Sequence, residues 1–130
     1  VRVSDDKIIG MANIRTVLNK RLEKYGGNIG YGIRPSERGK GYNKINLYLA
    51  LKICKEYGIK IAKLDADLDN PASWKTIEAL GGIRTRQYFC EQDNCEVVDY
   101  EINVEESLSN YKKIYEEKVE EEDICQNLYR

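Results

Sequence analysis

The sequence predicts an α/β chain, α+β in detail, with a mixed, mostly antiparallel central sheet flanked by helices. Three observations carry that expectation. Short segments of strand composition alternate with segments whose apolar residues recur every three or four positions. Glycine or proline stands at most of the changes of pattern. The last two strand-like segments flank "EQDN", the loop of a β-hairpin. At 130 residues the chain has the length of one domain and can bury a core.

The elements follow in order. Residues 7–15, "KIIGMANIR", have a strand's composition and length, and "TVLNKRLEKYGGN" reads as a loop or short helical excursion ending at Gly26-Gly27. Residues 28–33, "NIGYGI", form a second strand. Pro35 closes it, because the residue before a proline is pushed away from helical geometry. From Tyr42 to Tyr57, Leu47, Ala50, Leu51 and Cys54 mark a helix face that Ile45, Leu49 and Ile53 widen. Such a broad face belongs against a sheet, and Gly58 ends the helix. In "IKIAKLDADLD", Ala62, Leu64, Ala66 and Leu68 alternate onto one face of a strand. Asn70-Pro71 opens the next helix, a capping residue followed by proline at the first helical position. That helix runs through Trp74, Ile77 and Leu80 to Gly81-Gly82. Residues 83–104 form the hairpin, with Asp93-Asn94 in its loop.

The tail differs in kind. Residues 1–100 hold 17 Lys/Arg and 13 Asp/Glu, whereas residues 101–130 hold 4 and 9. The expected division is a domain at 1–104 and an acidic amphipathic helix at 105–130. In that helix Leu108, Tyr111, Tyr115 and Val119 recur at helical spacing. It packs on its own domain, docks on a second copy as a homodimer contact or a swapped element, or is a low-complexity disordered tail.

Composition excludes several functions. The overall charge is balanced, 21 basic against 22 acidic, so nucleic acid is not an expected partner, while the mildly basic body suits a small anionic ligand. Histidine is absent, which removes imidazole as base, shuttle or ligand. The four cysteines lack metal spacing, and no metal site is expected. Cys90 and Cys95 can face each other across the hairpin, and free thiols are the expected state. No apolar run reaches membrane-spanning length and no signal peptide is visible, so no membrane partner and a cytoplasmic setting are expected.

One stretch carries chemistry. "IRPSERGKGYNK", residues 33–44, joins the second strand to the first long helix. The first turn of a helix has unpaired N–H donors and a dipole that favours negative charge. Glycine lets the backbone approach a bulky anion, and Arg38 and Lys40 add charge at the rim. The turn therefore reads as a phosphate cradle. The nucleoside-triphosphate pattern G-x-x-x-x-G-K-[ST] is absent, and Lys44 stands where the dinucleotide pattern needs its third glycine. An ordinary glycine-rich turn with surface cations is the bland alternative.

Arg38-Gly39-Lys40-Gly41-Tyr42-Asn43, after a strand and at the head of a long helix, resembles the acetyl-CoA motif [Q/R]-x-x-G-x-[G/A] of the GNAT acetyltransferases. "DNPASWKTIEALGG" is similar to that family's next signature, a helix opening on Asn and closing near a glycine pair. The resemblance spans about residues 7–104 and implies the GNAT acyl-CoA N-acyltransferase fold. It also implies an enzyme that moves an acetyl group from acetyl-CoA to a primary amine, by direct attack in a ternary complex. The acceptor is a small molecule or a protein amine. The pyrophosphate of the coenzyme lies on the amides of Arg38, Gly39, Lys40, Gly41, Tyr42 and Asn43. The pantetheine arm pairs with the strand end near Ile33, within reach of Asn70 and Ser73. For Asn70, helix capping is the competing role.

Three departures bear on activity. Asn43 replaces the motif's last small residue, and Ile77 stands where many members have an acidic tyrosine. Gly27-Asn28 occupies the place of a Glu or His base, and neither can take a proton near neutral pH. Tyr31 is then the nearest candidate acid, with a half-buried strand tyrosine as its bland reading. The opening "VRVSDDKIIG" resembles the end of the family's second strand and the turn into its third. The alternative function is a truncated or impaired member that binds coenzyme A or a partner without turnover.

Overall fold

The structure, a computed structural model, describes residues 1–15 and 27–121. Most of the expected excursion at 16–28 lies outside the described residues, as do Cys125 and the end of the acidic tail. The chain opens with an antiparallel bridge between Arg2 and Lys7, around a turn in which Asp6 has φ 55°. Strand β1 (Gly10–Ile14) then pairs antiparallel with β2 (Ile29–Ile33). A 3-10 turn, Pro35–Glu37, leads to helix α1 (Tyr42–Glu56). Strand β3 (Ile61–Asp67), helix α2 (Pro71–Ala79), the hairpin of β4 (Ile83–Cys90) and β5 (Cys95–Asn103), and helix α3 (Val104–Glu121) complete it.

The expected order of elements holds, and so does the class. Strand β5 lies between β3 and β4, and every ladder among the described residues is antiparallel. The mixed character sits where the two sheets meet. The Asn28 N–H donates to the Lys63 carbonyl at 2.7 Å, and the Lys63 N–H donates to Asn28 Oδ1 at 2.8 Å. Beyond that point β2 and β3 form no ladder. They lead into helices whose first turns adjoin, with Asn43 Nδ2 donating to Thr76 Oγ1 at 3.2 Å. Strands that touch near their starts and feed neighbouring helix starts run the same way.

Alternation explains the core. Ala62, Leu64 and Ala66 of β3 and Val98, Tyr100 and Ile102 of β5 face the helices, and all are buried. Leu47, Ala50, Leu51 and Cys54 of α1 meet them, as their spacing predicts. Each fully buried large apolar side chain contributes roughly 1.5–3 kcal/mol. Gly82 is pressed against Ile77, where even an added Cβ would come within 2.5 Å of the Ile77 side chain.

Helix α3 packs on α1 within the same chain. The rings of Tyr48 and Tyr115 stack with centroids 5.5 Å apart, and Leu108 and Tyr115 are buried. Burial, then Glu116, pushes the Tyr48 hydroxyl up to about 12; it donates to Glu116 Oε1 at 2.9 Å. Lys52 Nζ reaches the same oxygen at 2.8 Å. Glu116→Ala is therefore expected to cost about 1 kcal/mol by leaving the buried hydroxyl without its acceptor. Urea denaturation checks this, and Tyr48→Phe in the Glu116→Ala background should recover most of the loss.

Cys90 and Cys95 are register partners across the hairpin, and both are free thiols. Among the described residues, no helix is long and apolar enough to cross a membrane and no group of side chains could hold a metal ion.

Candidate functional site

The glycine turn follows the end of β2, past the junction of Asn28 with Lys63 where β2 and β3 meet. Its backbone follows from its residues. Pro35 fixes the first position of the 3-10 turn, and Arg38 is extended at φ −73°, ψ 155°. Gly39 and Gly41 have φ 79° and 83°, a region that side-chain-bearing residues rarely enter. Nothing lies within 4 Å of a Cβ built on either, so the space over the turn is open. Helix α1 begins at Gly41 with no side-chain cap. No side chain accepts from its first-turn amides at the cap.

The cations named from the sequence are placed unequally. Arg38 is exposed and donates Nε to the Ile33 carbonyl at 3.1 Å, which folds its side chain back over the strand end. Lys40 is half-exposed, and its ammonium lies 2.8 Å from Glu37 Oε2. The Tyr42 side chain is buried, its hydroxyl accepting from Arg2 at 3.4 Å, so only its backbone faces the turn. Asn43 turns its amide toward α2, onto Thr76, rather than over the glycines.

Glu37 was not singled out by sequence reasoning. It is 2% exposed, and the ammonium of Lys40, the guanidinium of Arg2 and the ammonium of Lys7 surround it. The Lys40 hydrogen bond foremost, then those of Arg2 and Lys7, holds its carboxyl at about 2 against an ordinary 4.5. A depressed carboxyl contributes stability that is present above the unfolded pKa, here near 4.5, and is lost as pH falls through about 2. The melting-temperature advantage of wild type over Glu37→Gln is therefore expected to be full above pH 5 and to shrink toward pH 2. Parallel thermal melts across that range check it. The signal in the sequence was an acid set among Arg34, Arg38 and Lys40 in a turn, but its partners Arg2 and Lys7 lie about thirty residues upstream.

Tyr31 of β2 meets Ser73 of α2, and Asn70 stands at the start of that helix. The Tyr31 hydroxyl donates to the Ser73 carbonyl at 3.0 Å and lies 3.2 Å from Ser73 Oγ, which bridges β2 to the first turn of α2. Burial pushes it up to about 12, so it is protonated at neutral pH. Asn70 caps α2 by position only. Its backbone carbonyl accepts from Ser73 and Trp74, and its exposed side chain makes no capping hydrogen bond. Ile33 ends β2, and the adjoining Gly32 is exposed with nothing within 4 Å of an added Cβ. Ile77 is fully buried in the core. Asn28 is buried, and its Nδ2 donates to the Arg15 carbonyl at 3.0 Å.

The arrangement can hold an anion at the head of α1 and an extended chain between β2 and β3. The model of the acetyltransferase (GNAT) family matches residues 1–81. The chain belongs to the GNAT family. Solved structures of similar fold include a spermidine N-acetyltransferase chimera of Vibrio cholerae SpeG and hSSAT, 18% identical with a TM-score of 0.65. That match covers 83% of this GNAT chain and 66% of the other. Another is yncA of Salmonella typhimurium, solved with its cofactor acetyl-CoA, 16% identical with a TM-score of 0.60. It covers 77% of this chain and 60% of yncA. This GNAT chain thus spans somewhat less than two thirds of either length. No curated protein matches its sequence.

Proposed function

We propose that this chain binds acetyl-CoA and transfers the acetyl group to a primary amine. One observation carries the reading: Gly39 and Gly41, both at positive φ, leave an open, side-chain-free cradle at the uncapped head of α1. The pyrophosphate rests on the amides from Arg38 to Asn43, with the exposed Arg38 and Lys40 at the rim. The pantetheine arm runs along β2 past Ile33 and Gly32. Asn70 and Ser73 reach it from α2.

The arm carries a thioester carbonyl for the amine to attack. The C–N bond forms, the C–S bond breaks, and the sulfur departs as a thiolate, which then takes up from water the proton that the attacking amine released. What the chain supplies is mainly position, which can be worth roughly 7–11 kcal/mol of such a barrier. Backbone N–H groups of β2 polarise the carbonyl. Tyr31, held protonated by burial, turns from the Ser73 carbonyl and donates a hydrogen bond to the sulfur. With its hydroxyl at about 12 against an ordinary thiol near 8.5, it stabilises the thiolate rather than giving its proton away. The amine loses its proton to a water chain. Spermidine N-acetyltransferases are among the proteins of similar fold, which makes polyamines the first acceptors to try.

Asn70 separates binding from folding. Asn70→Ala is expected to weaken acetyl-CoA binding by about 1 kcal/mol, roughly fivefold. It should leave stability nearly unchanged, because no capping bond is lost. Titration calorimetry and urea denaturation read the two effects apart. The reading as a whole is tested by thiol release from acetyl-CoA, with and without spermidine and other amines. Amine-dependent release supports it. The second reading, coenzyme binding without turnover, draws on the buried Ile77, and binding with no release for any amine supports that one instead.

A further inference from the structure

We infer that Glu37 is the positioning residue of the coenzyme loop, its buried carboxylate setting the path of residues 38–41 through Lys40, Arg2 and Lys7. The inference rests on the reading of that loop as the acetyl-CoA site. Glu37 ends the 3-10 turn and points inward where its neighbours Arg38 and Lys40 are exposed. Its two oxygens are shared among cations from separate segments. Oε1 meets Lys7 Nζ and Arg2 Nη2, each at 3.3 Å, while Oε2 meets Lys40 Nζ at 2.8 Å and Arg2 Nη1 at 3.0 Å. Arg2 also contacts Tyr42, the first residue of α1, and is clasped by Asp5 at 2.6 Å. One carboxylate thus ties the opening hairpin, the turn and the helix start together.

This placement changes what recognises the coenzyme. The Lys40 charge is already compensated from below, so recognition falls chiefly on the directions of the backbone amides. Those directions depend on two glycines that carry no side chains to hold them. The anchor has to come from beside them, and Glu37 with Lys40 brackets the stretch. Without the carboxylate, Arg2, Lys7 and Lys40 face one another, with Asp5 still holding Arg2, and the loop is pushed from its seat. The extra positive charge is screened over about 8 Å at physiological salt. Losing a single hydrogen bond from a misdirected amide to a charged phosphate can cost on the order of tenfold or more in affinity. Displacement therefore outweighs added attraction.

The test is titration calorimetry with acetyl-CoA on wild type, Glu37→Gln, Lys40→Gln and the double variant, each first shown folded by circular dichroism. Glu37→Gln is expected to weaken binding by about tenfold or more. Lys40→Gln should have a smaller effect. The double variant should be no weaker than Glu37→Gln alone, because the two residues act as one unit. Should Glu37→Gln fail to fold, Glu37→Asp keeps the charge, shortens its reach and is expected to bind at an intermediate level. Wild type that binds, with Glu37→Gln (or, where that does not fold, Glu37→Asp) within about twofold of it, overturns the role of Glu37, as do single-variant losses that simply multiply. Wild type that does not bind acetyl-CoA overturns the coenzyme reading itself.

Discussion

Gly41→Val is expected to weaken acetyl-CoA binding by at least about a hundredfold, close to abolishing it. Gly41 sits at φ 83° as the residue from which α1 departs. A β-branched residue resists that conformation, which costs roughly 1–2 kcal/mol even for ordinary side chains. The backbone relaxes toward negative φ and turns the first amides of α1 away from the cradle. The side chain itself enters the space the pyrophosphate requires. Within the protein, that space is open, with no atom within 4 Å of the new Cβ, so the fold survives. Gly58, beyond the far end of the same helix, is the matched control. It has φ 75° and open surroundings. Gly58→Val should carry similar strain and a similar drop in stability, yet bind acetyl-CoA as wild type does. If both variants bind equally, the cradle is not where the coenzyme sits.

Asn28→Ala is the second large effect, and it falls on the fold. Asn28 is 6% exposed and joins the two sheets through its side chain: Oδ1 accepts from Lys63 and Nδ2 donates to the Arg15 carbonyl. Alanine leaves the Lys63 N–H and the Arg15 carbonyl, both part-buried, without those partners, each costing up to roughly 1–3 kcal/mol. The expected loss is about 3 kcal/mol, a large fraction of the 5–15 kcal/mol typical of a domain. Urea denaturation measures it. A loss below about 1 kcal/mol would mean that the junction is held elsewhere. Because Asn28 joins β2 to β3, the variant should also bind acetyl-CoA more weakly at temperatures where it stays folded.

The sequence and the structure agree where local rules decide. The face of α1 was legible because Leu47, Ala50, Leu51 and Cys54 keep helical spacing, and the hairpin because its loop is short and polar. The glycine turn was legible because few other residues tolerate φ near 80°. What stayed hidden depends on partners distant in the chain. Asn28 reads from the sequence only as a side chain that cannot act as a base, yet it is the clasp between two sheets, and its partner Lys63 is 35 residues away. Glu37 looks like one more surface charge until Arg2 and Lys7 fold over it. Asn70 illustrates the reverse error. The Asn-Pro pair predicts a side-chain cap, and the helix does start there, but the amide stays out of the cap.

The most direct test of the central claim is an amide-resolved NMR titration of the isotope-labelled protein with acetyl-CoA, with ADP as the control ligand. The account predicts the largest shifts at the amides from Arg38 to Asn43, followed by Ile33, Asn70 and Ser73, with ADP moving the loop alone. Saturating acetyl-CoA that leaves those amides in place, or that moves the β4–β5 hairpin instead, would contradict it.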